Sequence, residues 1–328
     1  MARMPEERPR ALVLAPMRGD GFAKLKMLAD VVYDPFLDHR PLKLHSEEEL
    51  VARLTDERAT ILVAEADKIG GATLDLPLRV IGSTRGDPTN VDVPAATAKG
   101  IPVLRAPGRN ADAVAELTLA LLFAVNRHVV AADGEVRAGQ MYRDGVIPYQ
   151  RFRAWQLAGR TLGIVGYGAI GRALAWRAEG LGMTVMAHDP YADDATHSLE
   201  DVLAEADVVS MHAPVLPETE GMIGEKQFAA MKDGAVFLNA ARAQLHDTDA
   251  LVAALQSGKL SGAGLDHFVH EYIAPDHPLC QLPNVVLTPH IGGATYDTEA
   301  NHSRLIADDI ERLLAGERPV NCVNPEVL

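Results

Sequence analysis

The sequence predicts an α/β protein made of two doubly wound parallel-sheet domains with a cleft between them. Three observations carry that prediction. Short apolar runs alternate with amphipathic stretches almost throughout, the pattern of a parallel sheet covered by helices. The alternation restarts near residue 161 as a second, more regular series. The length, 328 residues, suits two domains better than one.

The elements follow in order. "ALVLA" (11–15), "TILVA" (60–64) and "RVIGS" (79–83) read as buried strands, with "SEEELVARL" (46–54) as an amphipathic helix between the first two. "GIPVLRAP" (100–107) gives a short strand and a Pro-bearing turn. A long helix is expected over 110–139, with Asn110 as its N-cap and acids in its first turn. Its middle is apolar nearly all round, which predicts burial between domains or subunits. Residues 140–158 read as loop. The second series then runs strand "TLGIVG", helix "AIGRALAWRAEGLG", strand "TVMAHDP", helix "SLEDVLAEA" with a Ser-x-x-Asp cap, and strand "DVVSMHAP". It continues with helix "EKQFAAMKDG", strand "AVFLNAA", helix "DTDALVAALQSGKL" and strands "SGAGLD" and "NVVLTPH", before a closing helix over about 295–315.

Composition narrows the function classes. Hydrophobic residues make up 48% and charged residues 23%, ordinary for a globular enzyme. The formal net charge is −14 and no block of Lys or Arg appears, so neither nucleic acid nor a membrane surface is expected as partner. Cys280 and Cys322 lie far apart without C-x-x-C or zinc spacing, which fits a reducing cytoplasm. The N-terminal "MARMPEERPR" lacks the apolar core of a signal peptide.

"GIVGYGAIG" places Gly166, Gly168 and Gly171 in G-x-G-x-x-G spacing, after an expected strand and opening an expected helix. The next strand ends in Asp189, eighteen positions after the third glycine. That whole context predicts a Rossmann dinucleotide site. Gly166 permits the tight turn. Gly168 lets the backbone approach a pyrophosphate, which would sit on the helix N-terminus at Ala169 and Ile170. Gly171 permits close packing of helix on strand, and Asp189 can accept from a ribose diol. No Arg follows in "DPYADD", which favours NAD over NADP. Arg172 reads as a helix-surface residue.

"GLDHFVHEY" (264–272) concentrates ionisable groups. The order H-x-x-H-E matches neither common zinc helix motif, and Pro275 and Pro278 stop a helix from continuing. No metal site is expected. A nicotinamide enzyme needs a histidine for the proton, a carboxylate partner for that histidine, and an Arg if the substrate is a carboxylate. These belong at carboxyl ends of the second-series strands. Arg242 ends "AVFLNAAR", Asp266 ends "SGAGLD", Glu271 follows in the next loop, and His290 ends "NVVLTPH".

With these residues in place the chain resembles the D-isomer-specific 2-hydroxyacid dehydrogenases. The likeness runs through "TNVDVPAATAKGIPVLRAPGRNADAVAELTLAL", "GRTLGIVGYGAIGRALA", "ADVVSMHAPVLPET", "GAVFLNAAR", "GLDHFVHE" and "NVVLTPHIGGAT" to "PVNCVNPE". The resemblance implies that His290 is the acid/base, that Glu271 pairs with it and raises its pKa, and that Arg242 binds the substrate carboxylate. It implies that Asp266 lies beside the nicotinamide and holds its carboxamide. His212, Thr219, Ala240 and Gly292 would line the cofactor, and amides around Arg85 and Gly86 would cup the carboxylate. It also implies a homodimer, a flavodoxin-like substrate domain over 1–108 and 297–328, and a Rossmann domain over 109–296.

The chain departs from the family's pattern in four places: Arg242-Ala243 for Arg-Gly, His246-Asp247 for Val-Asp, His267-Phe268 for Val-Phe, and Tyr272 for Pro. His267 reads either as a polar loop residue or as one bordering the site. "RGDPTN" (85–90) differs from the usual substrate loop. Arg85, Arg105 and Arg109 are candidates for a substrate phosphate or for plain surface charge. The open substrates are glyoxylate, hydroxypyruvate, phosphoglycerate and phosphoerythronate. The rivals are a formate or phosphite dehydrogenase, against which Glu271 in place of Gln argues, and an NAD(H)-sensing binding protein. The regulatory extension of longer phosphoglycerate dehydrogenases is not expected.

Overall fold

The computed structural model describes residues 8–328. The chain forms two compact units, Met1–Arg109 with Thr295–Leu328, and Asn110–Ala294. The crossings thus fall after Arg109 and Ala294.

The first unit holds strands β1 (Arg10–Val13), β2 (Asp30–Tyr33), β3 (Ile61–Ala64), β4 (Val80–Ser83) and β5 (Val103–Leu104). They form a parallel sheet in the order β2-β1-β3-β4-β5. Helices α1 (Gly19–Leu28), α2 (Glu47–Asp56) and α3 (Val93–Ala98) connect them. The Ser46 hydroxyl and Glu49 carboxylate close a reciprocal cap on α2, which explains why that helix is so plain in the sequence. α1 and β2 have no such mark, since β2 is a four-residue strand with exposed ends. The C-terminal tail belongs to this unit: Val323 N donates to Val103 O, and Arg105 N to Asn321 O.

The second unit opens with α4 (Ala111–Asn126), α5 (Val129–Arg137) and α6 (Pro148–Arg151). A doubly wound series follows: β6 (Thr161–Val165), α7 (Ala169–Gly180), β7 (Thr184–His188), α8 (Leu199–Glu205), β8 (Val208–Met211), α9 (Glu225–Ala230) and β9 (Ala235–Asn239). It ends with α10 (Thr248–Gln256), β10 (Leu260–Leu265), α11 (Pro278–Gln281) and β11 (Val285–Leu287). The six strands are parallel in the order β11-β10-β9-β8-β6-β7. Both sheets therefore share one winding, with the first strand between the second and third. The order reverses beside β6, and ligands of such sheets bind at that point, outside the strands' carboxyl ends. The last helix, α12 (Tyr296–Leu314), returns to the first unit and lays Ile306, Ala307 and Ile310 on its sheet. α1 crosses it so closely that a Cβ on Gly21 would lie 2.3 Å from Arg304 N.

The helix expected over 110–139 is broken. His128 takes a left-handed conformation (φ 53°), and the two halves meet at 62°. No Gly or Pro marks the break, so hydrophobic periodicity runs straight across it. Asn110 sits at the N-cap position without a side-chain cap bond. The apolar girth of α4 is explained within its own unit. Leu121, Leu122 and Val125 are buried with residues of the sheet, and β10 carries glycines where α4 presses in. A Cβ on Gly262 would lie 2.5 Å from Val125 Cγ1, and one on Gly264 2.9 Å from Leu121 Cβ. Within 140–158, expected as loop, α6 forms one short turn. No single described helix is long and apolar enough to cross a membrane.

Burial holds four histidines, His212, His246, His267 and His302, down at about 4 against an ordinary 6.5. Arg109 reinforces this at His302, as do His290 and Arg242 at His267. The unfolded chain takes up protons at these rings near 6.5, whereas the folded chain does so only near 4. Stability should therefore fall as pH drops through that window, by up to about 1.4 kcal/mol per pH unit for each ring. Urea unfolding at pH 7 and pH 5 checks this, and an unchanged midpoint would contradict it.

Candidate active site

The glycine loop leaves β6 at the reversal point of the second sheet. Gly166 adopts φ 97° and donates to His188 O. A Cβ there would lie 2.4 Å from Ala213 N, so the β8 exit excludes any side chain. A Cβ on Gly171 would lie 2.4 Å from Gly166 O, which is the close helix–strand packing its position predicts. Gly168 is different: a Cβ there would meet nothing within 4 Å. It is the N-cap of α7, with no side chain closing the helix end. The amides at Ala169 and Ile170 are thus left with the positive end of the helix dipole, as an anion requires.

Asp189 follows β7 and accepts from Tyr167 N at 2.7 Å and from Tyr191 N at 2.9 Å. It ties the loop to the neighbouring strand and keeps lone pairs for a diol. Arg172 is spent on an ion pair with Asp194, in keeping with a helix-surface role. A dinucleotide fits these residues: an open cradle at Gly168, free helix amides, and an acid beyond the second strand.

Asp266, at the end of β10, has no solvent exposure. Its Oδ1 accepts from the Thr288 hydroxyl at 2.6 Å and Ile291 N at 2.9 Å, and its Oδ2 from Gly292 N at 2.8 Å. His290 N donates to Asp266 O. The carboxylate therefore anchors the whole 288–292 turn and sets where His290 stands. His290 Nδ1 lies 2.8 Å from Glu271 Oε1. Both residues of this pair, and His270, adopt positive φ between 53° and 57°. They are three of the six such non-glycine residues in the described chain, and strain of that kind gathers at functional sites.

His267, readable from sequence as either a loop residue or one bordering the site, packs beside His290. It is 5% exposed, and its ring centroid is 3.8 Å from that of His290. The charges of His290, Arg242, Asp266 and Glu271 all bear on it, so it stands at the middle of the constellation. Tyr272 is 69% exposed. Spacing alone would offer a metal His267 with His270. One ligand atom each from His267, Glu271 and His290 instead lies within 4.8 Å of the others.

Arg242 follows β9, exposed, with its guanidinium donating to Ala241 O at 2.6 Å. The turn that carries it is clamped by buried Asn239. Its Oδ1 accepts from Ala241 N and Arg242 N, and its Nδ2 donates to Arg242 O and contacts His246 Nδ1 at 2.9 Å. Sequence reasoning misses Asn239 and Thr288. The only hint is a polar residue at the end of a strand otherwise apolar.

Among the residues expected on the cofactor, Ala240 and Gly292 are buried at these same strand ends. His212 contacts Ser210 Oγ at 2.8 Å through Nε2, while its buried Nδ1 has no partner. The Thr219 hydroxyl is taken up by its own turn, accepting from Leu216 N and donating to Pro214 O. Arg85 and Gly86 lie in the first unit, where Arg85 O accepts from Ala106 N. Arg109 is committed to Glu65 Oε1 at 2.5 Å and to His302 Nδ1 at 2.8 Å, so it is not an open cation for a phosphate. Arg105 is exposed.

Comparison with known proteins agrees with this geometry. The family described as "D-isomer specific 2-hydroxyacid dehydrogenase, NAD binding domain" matches residues 119–292, more than half of the chain. A glyoxylate reductase of Thermococcus litoralis is 38% identical, over 87% of this chain and 86% of its own. A glycerate dehydrogenase of Methylorubrum extorquens is 36% identical, over 84% and 88%. The crystal structure of the TT0316 protein from Thermus thermophilus superposes with a TM-score of 0.81 at 38% identity, covering 96% of this chain and 99% of that one. With its glycine loop, the acid after β7 and the His–Glu pair on one Rossmann unit, the chain belongs to the D-isomer-specific 2-hydroxyacid dehydrogenases, NAD-dependent oxidoreductases of 2-hydroxy acids.

Proposed function

We propose that this enzyme interconverts a small, unphosphorylated D-2-hydroxy acid and its 2-oxo acid, with His290 as acid/base, Glu271 as its partner and Arg242 as the carboxylate ligand. The observation that carries the reading is the 2.8 Å contact of His290 Nδ1 with Glu271 Oε1, on the same unit as the NAD loop. The carboxylate fixes the tautomer with Nδ1–H donating, so Nε2 faces the substrate. NAD, when bound, supplies the hydride chemistry. In oxidation the C2–H bond gives up its electron pair as hydride, the hydroxyl proton passes to Nε2, and the carbonyl forms. In reduction Nε2 returns the proton. Glu271 stabilises the imidazolium, and the Arg242 fork holds the carboxylate and polarises the carbonyl.

Gly166, Gly168, Ala169, Ile170 and Gly171 would hold the pyrophosphate and Asp189 the ribose. Ala240, His212, Thr219 and Gly292 would line the cofactor. Among the described residues Asp266 Oδ2 accepts from Gly292 N alone, and Asp266 is the candidate partner of the carboxamide. The first unit takes the substrate-binding role, with amides at Arg85 and Gly86 as donors. Commitment of Arg109 to Glu65 and His302 favours an acid without phosphate, while the relatives carry both kinds of name, glyoxylate reductase and glycerate dehydrogenase on one side and D-3-phosphoglycerate dehydrogenase on the other. Exposed apolar residues gather over 129–155, among them Val129, Val130, Tyr142, Ile147, Tyr149 and Trp155. They support this segment, beside α4, as the face of a homodimer. Both cysteines are free, which supports a reducing, cytoplasmic setting.

NADH oxidation with glyoxylate, hydroxypyruvate and phosphohydroxypyruvate tests the reading. Turnover of the first two above the third is expected. NADH binding without turnover of any would favour a sensor instead. Glu271→Gln should lower turnover, because the negative charge that stabilises the imidazolium during proton transfer is gone. Turnover like wild type would count against the pair.

A further inference from the structure

We propose that His267, Glu271 and His290 form a binding site for a divalent transition-metal ion of the zinc type, whose occupation shuts the enzyme off. Two imidazoles and a carboxylate are the donors of a borderline N/O site, suited to Zn²⁺, Co²⁺ or Cu²⁺ rather than to Mg²⁺ or Ca²⁺. Their ligand atoms already lie within 4.8 Å of one another. Bonds of about 2.0–2.2 Å to one ion bring donors closer than that, so the site must contract slightly. The side chains able to move are those on the surface, since the His290 and Glu271 side chains are 44% and 59% exposed. His267 is fixed, packed at 3.8 Å between ring centroids against His290 and 5% exposed. Three protein ligands leave a fourth position for water or a substrate carboxylate.

An ion seated there replaces the proton shared by His290 and Glu271, so the ring can neither take nor give one. The inhibition arm rests on His290 being the acid/base, whereas the binding arm does not. His267 completes the site, because Glu271 and His290 alone make only a two-ligand contact.

The test uses the chelator-treated full chain without NAD. Co²⁺ is titrated and followed by its visible ligand-field absorption, and Zn²⁺ inhibition of NADH-linked turnover is measured relative to each variant's own metal-free rate. Wild type should bind one equivalent of Co²⁺. His290→Ala and His267→Val should each weaken binding by about tenfold or more, since even outer partners of a metal site are worth about 10–100-fold. The Zn²⁺ concentration for half inhibition should rise by the same factor in His267→Val. Should valine perturb the packing, His267→Gln keeps the bulk without an imidazole. Equal Zn²⁺ sensitivity of wild type and both His267 variants, or no Co²⁺ binding up to about 1 mM, overturns the site. Metal binding that needs His267 and His290 yet leaves turnover intact overturns the inhibition, and with it His290 as acid/base.

Discussion

His290→Ala should lower turnover by roughly 10²–10⁴-fold, the range for loss of a positioned acid/base, while NADH affinity stays near wild type. The structure makes this a clean deletion. The turn that carries His290 is held through backbone: His290 N donates to Asp266 O, and Ile291 N and Gly292 N donate to the Asp266 carboxylate. None of these bonds uses the imidazole, whose side chain is 44% exposed, so its removal leaves the turn held and opens only the face of the His267 ring on which it packs. The one backbone concern is φ 53° at this position, which alanine tolerates no better than histidine. His290→Asn, a residue at ease in the left-handed region, controls for it and should be as inactive. Rates in both directions and NADH fluorescence titration decide the matter. Near-normal turnover in either variant would remove His290 from the mechanism. Loss of NADH binding in parallel with turnover would instead mean that the turn had collapsed.

How far the sequence reaches depends on whether a feature is set by spacing or by packing. The glycine loop is legible because each of its parts has a fixed offset along the chain, and the structure assigns separate physical reasons to Gly166, Gly168 and Gly171. The strand ends carrying Arg242, Asp266 and His290 are legible for the same reason: an apolar run stops and a polar residue follows. The break at His128 is not, because a left-handed residue needs no Gly or Pro and the apolar stripe continues past it. Nor is the anchoring of the 288–292 turn by Asp266, since one strand end bonding another is a tertiary fact. His267 shows the limit best. Its spacing to His270 suggests a helix face, but His270 and Glu271 both turn left-handed. The loop therefore folds back and places His267 on His290, twenty-three positions away. For the apolar girth of the 110–139 segment the structure adds a contact that periodicity does not reveal: Gly262 and Gly264 open the sheet of the same unit to α4.

A methyl group added at Gly168 and one added at Gly171 should have opposite results, and the contrast separates a dinucleotide loop from a merely structural turn. At Gly168 a Cβ meets nothing within 4 Å, and its backbone (φ −77°, ψ −156°) is open to any residue. Gly168→Ala should therefore change stability little. The cost is a poorer N-cap for α7, about 0.5–1 kcal/mol. But the methyl projects into the space where a pyrophosphate would approach the α7 amides. NAD affinity should fall by about 10–100-fold, or about 1.4–2.8 kcal/mol. At Gly171 the Cβ falls 2.4 Å from Gly166 O and 3.2 Å from Ile164 Cγ2. Helix propensity alone would favour alanine there by about 1 kcal/mol. Overpacking against a backbone oxygen costs typically about 1–3 kcal/mol and sometimes more, and neither β6 nor the loop can retreat without losing ladder bonds. Gly171→Ala should thus lower the unfolding midpoint of the NAD-binding unit. Its NAD affinity, measured where it is still folded, should suffer less than that of Gly168→Ala. Calorimetric melting and NAD titration of the two variants give the comparison. If Gly168→Ala bound NAD like wild type, the open space at that glycine would not be where the pyrophosphate lies, and the cofactor assignment of the loop would have to be given up.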